Sequence, residues 1–192
     1  GINAVTALIA LLNRLPLSGG EREIFHGLEL MFPFGETDGK SAGLKIEDTE
    51  SGALTLTFSK FAMQNGNITG CIDIRYPVSA DLPDVVAELS AALENCGLHY
   101  GKNMEEQPHF VPEDSEFVQK LLNVYSEVEG EPGHCIAIGG GTYVHTVEGG
   151  VAFGVERGDT DYHMHGNDEF ITEDELLKDA VLFACAIADI CG

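Results

Sequence analysis

An alternation of apolar and polar residues in two neighbouring segments constrains the fold of this 192-residue chain most. The segments cover residues 53–59 and 68–78, and Asn65 and Gly66 lie between them. Alternation with a period of two is typical of strands buried on one face, and an Asn-Gly pair fits the tight turn of a β-hairpin. The sequence therefore predicts an antiparallel strand pair with one face towards a core.

Amphipathic helices are predicted on both sides of this strand pair. One begins after Asn3, a second covers residues 21–32, and a third begins after Asp81 and ends near Gly97. A short strand is predicted at 98–101. The order helix, helix, strand, strand, helix, strand indicates a ferredoxin-like βαββαβ unit with one additional helix and without its first strand. The chain is therefore expected to begin inside a domain.

The pattern of elements changes in the second half of the chain. A helix capped by Ser115 is followed by apolar segments at 135–138 and 151–155, which are predicted to be strands. A final helix begins with a capping box formed by Thr172 and Glu175. This second half is predicted to be a separate α/β piece.

The composition of the chain argues against some classes of binding partner. The chain has 32 Asp and Glu residues against 10 Lys and Arg, a formal net charge of −22. Such a surface repels phosphate backbones and anionic lipids, so neither nucleic acid nor a membrane is expected as a partner. Five cysteines without a CxxC pair favour reduced thiols, which predicts a cytoplasmic protein.

Two histidines form a candidate metal-binding pair. His163 and His165 lie two residues apart among acidic side chains, and in an extended segment both imidazoles could face a metal ion. A single His-x-His pair falls short of the three or four ligands that a zinc site needs. Solvated loop histidines therefore remain the alternative.

A glycine-rich loop and an arginine are the other candidates. Glycines at 139–141 follow an apolar segment, where the backbone could approach a ligand or simply make a tight turn. No Lys-Ser/Thr pair follows them, which argues against a phosphate loop. Arg75 lies on the polar side of the second hairpin strand, where its planar guanidinium group could bind a carboxylate through two hydrogen bonds. The alternative is an ion pair with Asp73 on a solvated sheet face.

Taken in order, these segments resemble a known family. The resemblance covers nearly the whole chain, and its motifs are GINAVTALIALL at 1–12, SGALTLTF at 51–58, IDIRYPV at 72–78, PHFVPEDSEFVQKLLNVY at 108–125, IGGGTY at 138–143, VAFG at 151–154 and MHGNDEFI at 164–171. They are similar to the C-terminal part of the aminoacylase/carboxypeptidase-type zinc metallopeptidases, near the PepV-like Xaa-His dipeptidases.

The resemblance implies an α/β (α+β) architecture with two domains. Residues 1–105 would form a ferredoxin-like lid or dimerisation-type domain with an antiparallel sheet, without its first strand. Residues 106–192 would form the C-terminal α/β segment of the catalytic domain.

The resemblance also implies roles for individual residues. His165 would be a zinc ligand, Arg75 would bind the substrate's C-terminal carboxylate, and Gly140, Gly141 and Thr142 would line the substrate pocket. The general base, the remaining metal ligands and a lid histidine that binds the oxyanion would lie ahead of residue 1. No catalytic residue is therefore expected within the chain.

The function implied is that of a zinc-dependent dipeptidase acting on dipeptides with a free C-terminal carboxylate. Two zinc ions are expected in the intact enzyme, with manganese or cobalt as alternatives. The chain alone is expected to be inactive, and its expected associations are a homo-oligomer or the N-terminal part of the enzyme. The competing functions are a deacylase of the same family and a non-catalytic binding or dimerisation module.

Overall fold

The computed structural model describes residues 2–101, 104–154 and 160–192. These residues form a mixed α+β structure, as predicted, with five α-helices and two small antiparallel sheets. In chain order the elements are α1 (Ala4–Leu12), α2 (Gly20–Met31), β1 (Glu47–Asp48), β2 (Gly52–Ala53), β3 (Thr55–Gln64), β4 (Asn67–Arg75), α3 (Leu82–Asn95), α4 (Glu116–Glu129) and α5 (Glu173–Cys191).

The chain divides into two compact units. The first unit contains the residues up to His109 together with Ala137–Gly139, and the second contains Phe110–Ile136 and Gly140–Gly192. In the described part of the chain, no helix is long and apolar enough to cross a membrane.

The predicted hairpin is confirmed as β3 and β4. Strand pairing runs from Gln64 opposite Asn67 at the turn to Thr55 opposite Arg75 at the open end. Asn65 has a φ of 51° and Gly66 a φ of 78°. Two consecutive left-handed residues match the twist of antiparallel strands, which explains why this dipeptide closes the hairpin.

The side chains on one face of the hairpin form part of the core. Leu54, Leu56 and Phe58 are at most 5% exposed. The apolar stripes of α2 and α3 cover them, as period-two alternation with one buried face requires. The buried helix residues in this cluster are Phe25, Leu28 and Met31 from α2 and Val85, Leu89 and Leu93 from α3.

Phe58 lies at the centre of an aromatic group and of a β-bulge. Its ring centroid is 5.0 Å from that of Phe32 and 6.2 Å from that of Phe61. The strand register shifts immediately after Phe58. Across the sheet Gly70 leaves room for the ring, since a Cβ added there would lie 2.5 Å from Cε2 of Phe58.

Local capping residues position the helices as predicted. The Asn3 side chain accepts the amides of Val5 and Thr6 and donates to the carbonyl of Phe58 at 3.1 Å, which ties α1 to the hairpin. Asp81 precedes α3 as predicted but makes no side-chain capping bond. The third helix stops before Gly97, whose φ is 73°.

The second unit is built on the pairing of α4 and α5. Ser115 caps α4 by accepting the amide of Val118, and Thr172 and Glu175 form the predicted capping box of α5. The buried residues of the unit's core are Leu121, Val124, Leu182 and Ala186.

Three predicted strands are wrong over the described residues. Segments 98–101, 135–138 and 151–154 have no strand structure, and Val155 lies outside the described residues. A strand requires a neighbouring strand to take up its backbone hydrogen bonds, and no described segment pairs with these. The apolar side chains of Ile136 and Ile138 are accordingly 70% and 62% exposed.

We expect Gly70→Ala to destabilise the chain. Overpacking against a buried ring costs about 1–3 kcal/mol, which exceeds the roughly 0.5–1 kcal/mol gained by removing a glycine from the unfolded chain. Urea unfolding should show a lower midpoint than for the wild type. Gly101→Ala is the matched control, because an added Cβ there meets nothing within 4 Å. Equal midpoints for Gly70→Ala and wild type would show that the ring of Phe58 moves freely.

Candidate functional site

Arg75 lies on the open face of the hairpin, at the end of β4. Its neighbours in sequence, Ile74 and Tyr76, pack against the core, so alternation turns Arg75 to the opposite side, beside Asp73. The Arg75 side chain is 50% exposed. The sheet therefore presents a cation to solvent from a fixed strand position, as the sequence predicted.

The Arg75 guanidinium forms a forked ion pair with Asp73. Nε donates to Oδ1 at 2.8 Å and Nη2 donates to Oδ2 at 3.3 Å. This is the pairing that the sequence offered as the alternative to carboxylate binding. Because a guanidinium carries five N–H donors, the pair uses one edge of the fork and leaves donors for a second carboxylate.

The glycine-rich loop begins beside Arg75. A Cβ added at Gly139, which belongs to the first unit, would lie 3.8 Å from Cγ of Arg75. The predicted substrate-binding residues Gly140, Gly141 and Thr142 belong to the second unit and are exposed. Thr142 is extended and precedes a short 3₁₀ helix, Tyr143–Thr146, whose first side chain is 97% exposed.

His165 lies near the tip of a closed loop in the second unit. The amide of Phe170 donates to the carbonyl of Tyr162 at 3.3 Å and closes the loop. The amide of Gly166 donates to the carbonyl of His163 at 2.7 Å and forms the turn. The loop is anchored to α5, because the Tyr162 hydroxyl contacts Oε1 of Glu175 at 2.7 Å.

His163 and His165 do not lie in an extended segment, which was the condition under which both imidazoles could face one metal ion. Both are left-handed, with φ of 54° and 61°, and Asp168 has a φ of 60°. Hydrogen bonds from the backbone to side chains stabilise the turn: the amide of His163 donates to Asp161, and that of His165 donates to Glu169. Left-handed residues other than glycine are strained, and such strain is concentrated at functional sites.

The described residues do not contain a complete zinc site. Residues 2–101, 104–154 and 160–192 include no group of three or more His, Cys, Asp or Glu side chains placed to hold a metal ion. The exposed imidazole of His165 has the donor chemistry of one zinc ligand. A zinc ion at His165 would therefore need ligands in addition to those described.

A cluster of hydrogen bonds that the sequence pattern did not predict surrounds Asp48 at the end of β1. Its carboxylate accepts the amide of Ser51 at 2.6 Å and the amide of Ser79 at 3.1 Å. These bonds, led by that of the Ser51 backbone, hold the pKa of Asp48 far below its usual range. An aspartate followed by serine three positions later is a local turn signal that predicts the first bond but not the second.

The chain is similar in sequence to several known dipeptidases. No protein-family model matches it. The Beta-Ala-Xaa dipeptidase of Lactobacillus delbrueckii subsp. lactis is 31% identical over 191 residues, which are 99% of this chain and 40% of that protein. A provisionally named dipeptidase of Bacillus subtilis (strain 168), YtjP, is 33% identical over 192 residues, with the same two coverages. Another from Staphylococcus haemolyticus (strain JCSC1435) is 28% identical over 193 residues, 100% of this chain and 41% of the relative.

The chain thus spans about two fifths of the length of the curated relatives that it matches. The match runs through both compact units, so it includes the hairpin with Arg75 and the loop with His165. An alignment that extends over 99% of the chain at 31–33% identity reflects common ancestry of both units. Over almost its whole length, the chain is thus similar to these dipeptidases.

Proposed function

We propose that this chain is the C-terminal part of a zinc-dependent dipeptidase, comprising its lid and the last segment of its catalytic domain. The observation that carries the proposal is the match of the whole chain to proteins named as dipeptidases. Arg75 and the loop of His165 supply the two chemical functions that such a part contributes. One binds the substrate's carboxylate, and the other provides a metal ligand.

Arg75 is proposed to bind the C-terminal carboxylate of the dipeptide. Its strand position supports this role, because the backbone of a strand is already ordered, whereas that of a mobile loop loses freedom on binding. The donors that Asp73 leaves available suit a bidentate carboxylate. The nearby backbone of Gly139 supports a substrate position beside the guanidinium, because it adds no side chain there.

His165 is proposed to be one zinc ligand of the intact enzyme. The strained turn and its two carboxylate-bound amides support a fixed imidazole position. Zinc, when bound, supplies Lewis-acid polarisation of the scissile carbonyl. His165 itself would hold its ring nitrogen at a constant place, and Tyr162 would brace the loop against α5.

Two other functions make different predictions. A deacylase of the same family would share the Arg75 contact, because its substrate also carries a carboxylate, but it would favour N-acyl amino acids over dipeptides. A binding or dimerisation module would need neither His165 nor Arg75. The ion pair of Arg75 with Asp73 is compatible with such a structural role.

We expect the 192-residue chain alone to hydrolyse no dipeptide. One imidazole does not form a zinc site, because such sites use three or four ligands. The test incubates the purified chain with zinc and a panel of β-Ala-Xaa and Xaa-His dipeptides, followed by amino acid analysis. Turnover that a chelator abolishes would contradict the expectation.

In the enzyme that contains this chain, Arg75→Ala should mainly raise KM. A charge-assisted bidentate pair is worth about 1.5–3 kcal/mol, or roughly ten- to a hundred-fold in kcat/KM. Steady-state kinetics with a β-Ala-Xaa dipeptide measure the effect. Lys45→Ala is the matched control, since Lys45 is a cation of the same unit that is 4.0 Å from Asp38. A kcat/KM for Arg75→Ala within a few-fold of wild type would exclude carboxylate binding by Arg75.

In the same enzyme, His165→Ala should lose zinc and lower kcat by orders of magnitude. Part of kcat should return at high zinc concentration, because loss of one ligand weakens metal binding. Metal analysis of the purified protein gives a readout independent of activity. His163→Ala is the control, because it removes an imidazole from the same loop. Full zinc content in His165→Ala would show that this histidine is not a ligand.

A further inference from the structure

Asp48 joins two segments of the first unit that are far apart in sequence. Its Oδ1 accepts the amides of Glu50 and Ser51, at 3.1 and 2.6 Å, and the Ser51 hydroxyl at 2.9 Å. Its Oδ2 accepts the amide of Ser79 at 3.1 Å. Ser51 adds a second link, since its Oγ accepts the amide of Val78 at 2.9 Å. We refer to Asp48, Ser51, Val78 and Ser79 as the Asp48 clamp.

The Asp48 clamp holds the chain where it leaves β4. That strand ends at Arg75, and its last paired residue on β3 is Thr55. After Tyr76, Pro77 has no N–H to donate, so the next two backbone donors are those of Val78 and Ser79. Both donate to the clamp. The backbone around Arg75 is therefore held by the sheet on one side and by the clamp on the other.

The clamp depends on a charged carboxylate. One side chain accepts four hydrogen bonds, three of them from backbone amides. The pKa of Asp48 is held far below its usual range mainly by the Ser51 amide, so the group is ionised at neutral pH. An amide in its place would present one acceptor oxygen and one NH₂ group. The NH₂ group would then face an N–H that it cannot bind.

We propose that Asp48 is a positioning residue for carboxylate recognition by Arg75. By fixing the exit of β4, it keeps the guanidinium at one place on the open face of the hairpin. This inference rests on the function proposed for Arg75. It adds a residue whose side chain touches no substrate and acts through the backbone of residues 76–79.

The test is a double-mutant cycle in the full-length enzyme with Asp48→Asn, Arg75→Ala and the double variant. Misplacement of a binding group by about 1 Å can cost on the order of a hundred-fold, so a partial loss from Asp48→Asn should raise KM about three- to ten-fold. The kcat should change less. Because Asp48 acts through Arg75, the double variant should have the KM of Arg75→Ala alone.

The KM readout separates positioning from stability. A loss of stability lowers the amount of folded enzyme and hence the apparent kcat, but it leaves the KM of the folded fraction unchanged. Asp38→Asn is the matched control, because Asp38 also accepts a backbone amide, that of Lys40 at 3.3 Å, away from the clamp. Its KM should equal that of the wild type.

A second variant covers the case in which Asp48→Asn does not fold. Ser51→Ala removes the hydroxyl that binds Val78 but keeps the carboxylate, so KM should rise in the same direction by a smaller factor. This increase should also vanish in the Arg75→Ala background.

The outcomes distinguish this inference from the function on which it rests. If Arg75→Ala raises KM but Asp48→Asn and Ser51→Ala do not, Asp48 has no positioning role and the function of Arg75 stands. Increases in KM that multiply in the double variant would equally overturn the inference. If Arg75→Ala itself leaves KM unchanged, the proposed function fails first.

Discussion

The packing of Phe58 against Gly70 is the contact on which the first unit depends. The ring fills the space that a side chain at Gly70 would occupy, and it joins the aromatic group that the helices cover. Since a hairpin strand alternates its side chains, burying this face obliges the residues between to point outward. The same constraint that forms the core therefore exposes Arg75, so that the core and Arg75 lie on opposite faces of one sheet.

Features set by neighbouring residues were predictable from the sequence. Asn3, Ser115 and Thr172 cap their helices as predicted, and Asn65 with Gly66 forms the hairpin turn, because each signal acts within a few residues. The strand segments that failed needed a partner elsewhere in the chain. An apolar run shows that a segment favours burial, but hydrogen-bonding partners decide whether it becomes a strand.

In the candidate site, too, some features were predictable from the sequence and others were not. Alternation predicted the face on which Arg75 lies, and it also predicted Asp73 as its neighbour. The left-handed turn at His165 was not predicted, although the side chains that bind its amides, Asp161 and Glu169, lie within four residues of the histidines. The link from Asp48 to Ser79 spans 31 residues, and no local pattern predicts a hydrogen bond at that separation.

The ion pair between Arg75 and Asp73 does not decide between a structural and a functional role for the arginine. Both side chains are about half exposed, at 50% and 48%, and a pair in that setting contributes at most about 1 kcal/mol to stability. It does fix the orientation of the fork, because Nε and Nη2 must both meet the carboxylate. An oriented guanidinium loses less freedom when a second carboxylate arrives at its other edge. Asp73 is thus better understood as part of the arrangement that prepares Arg75 than as a competitor for it.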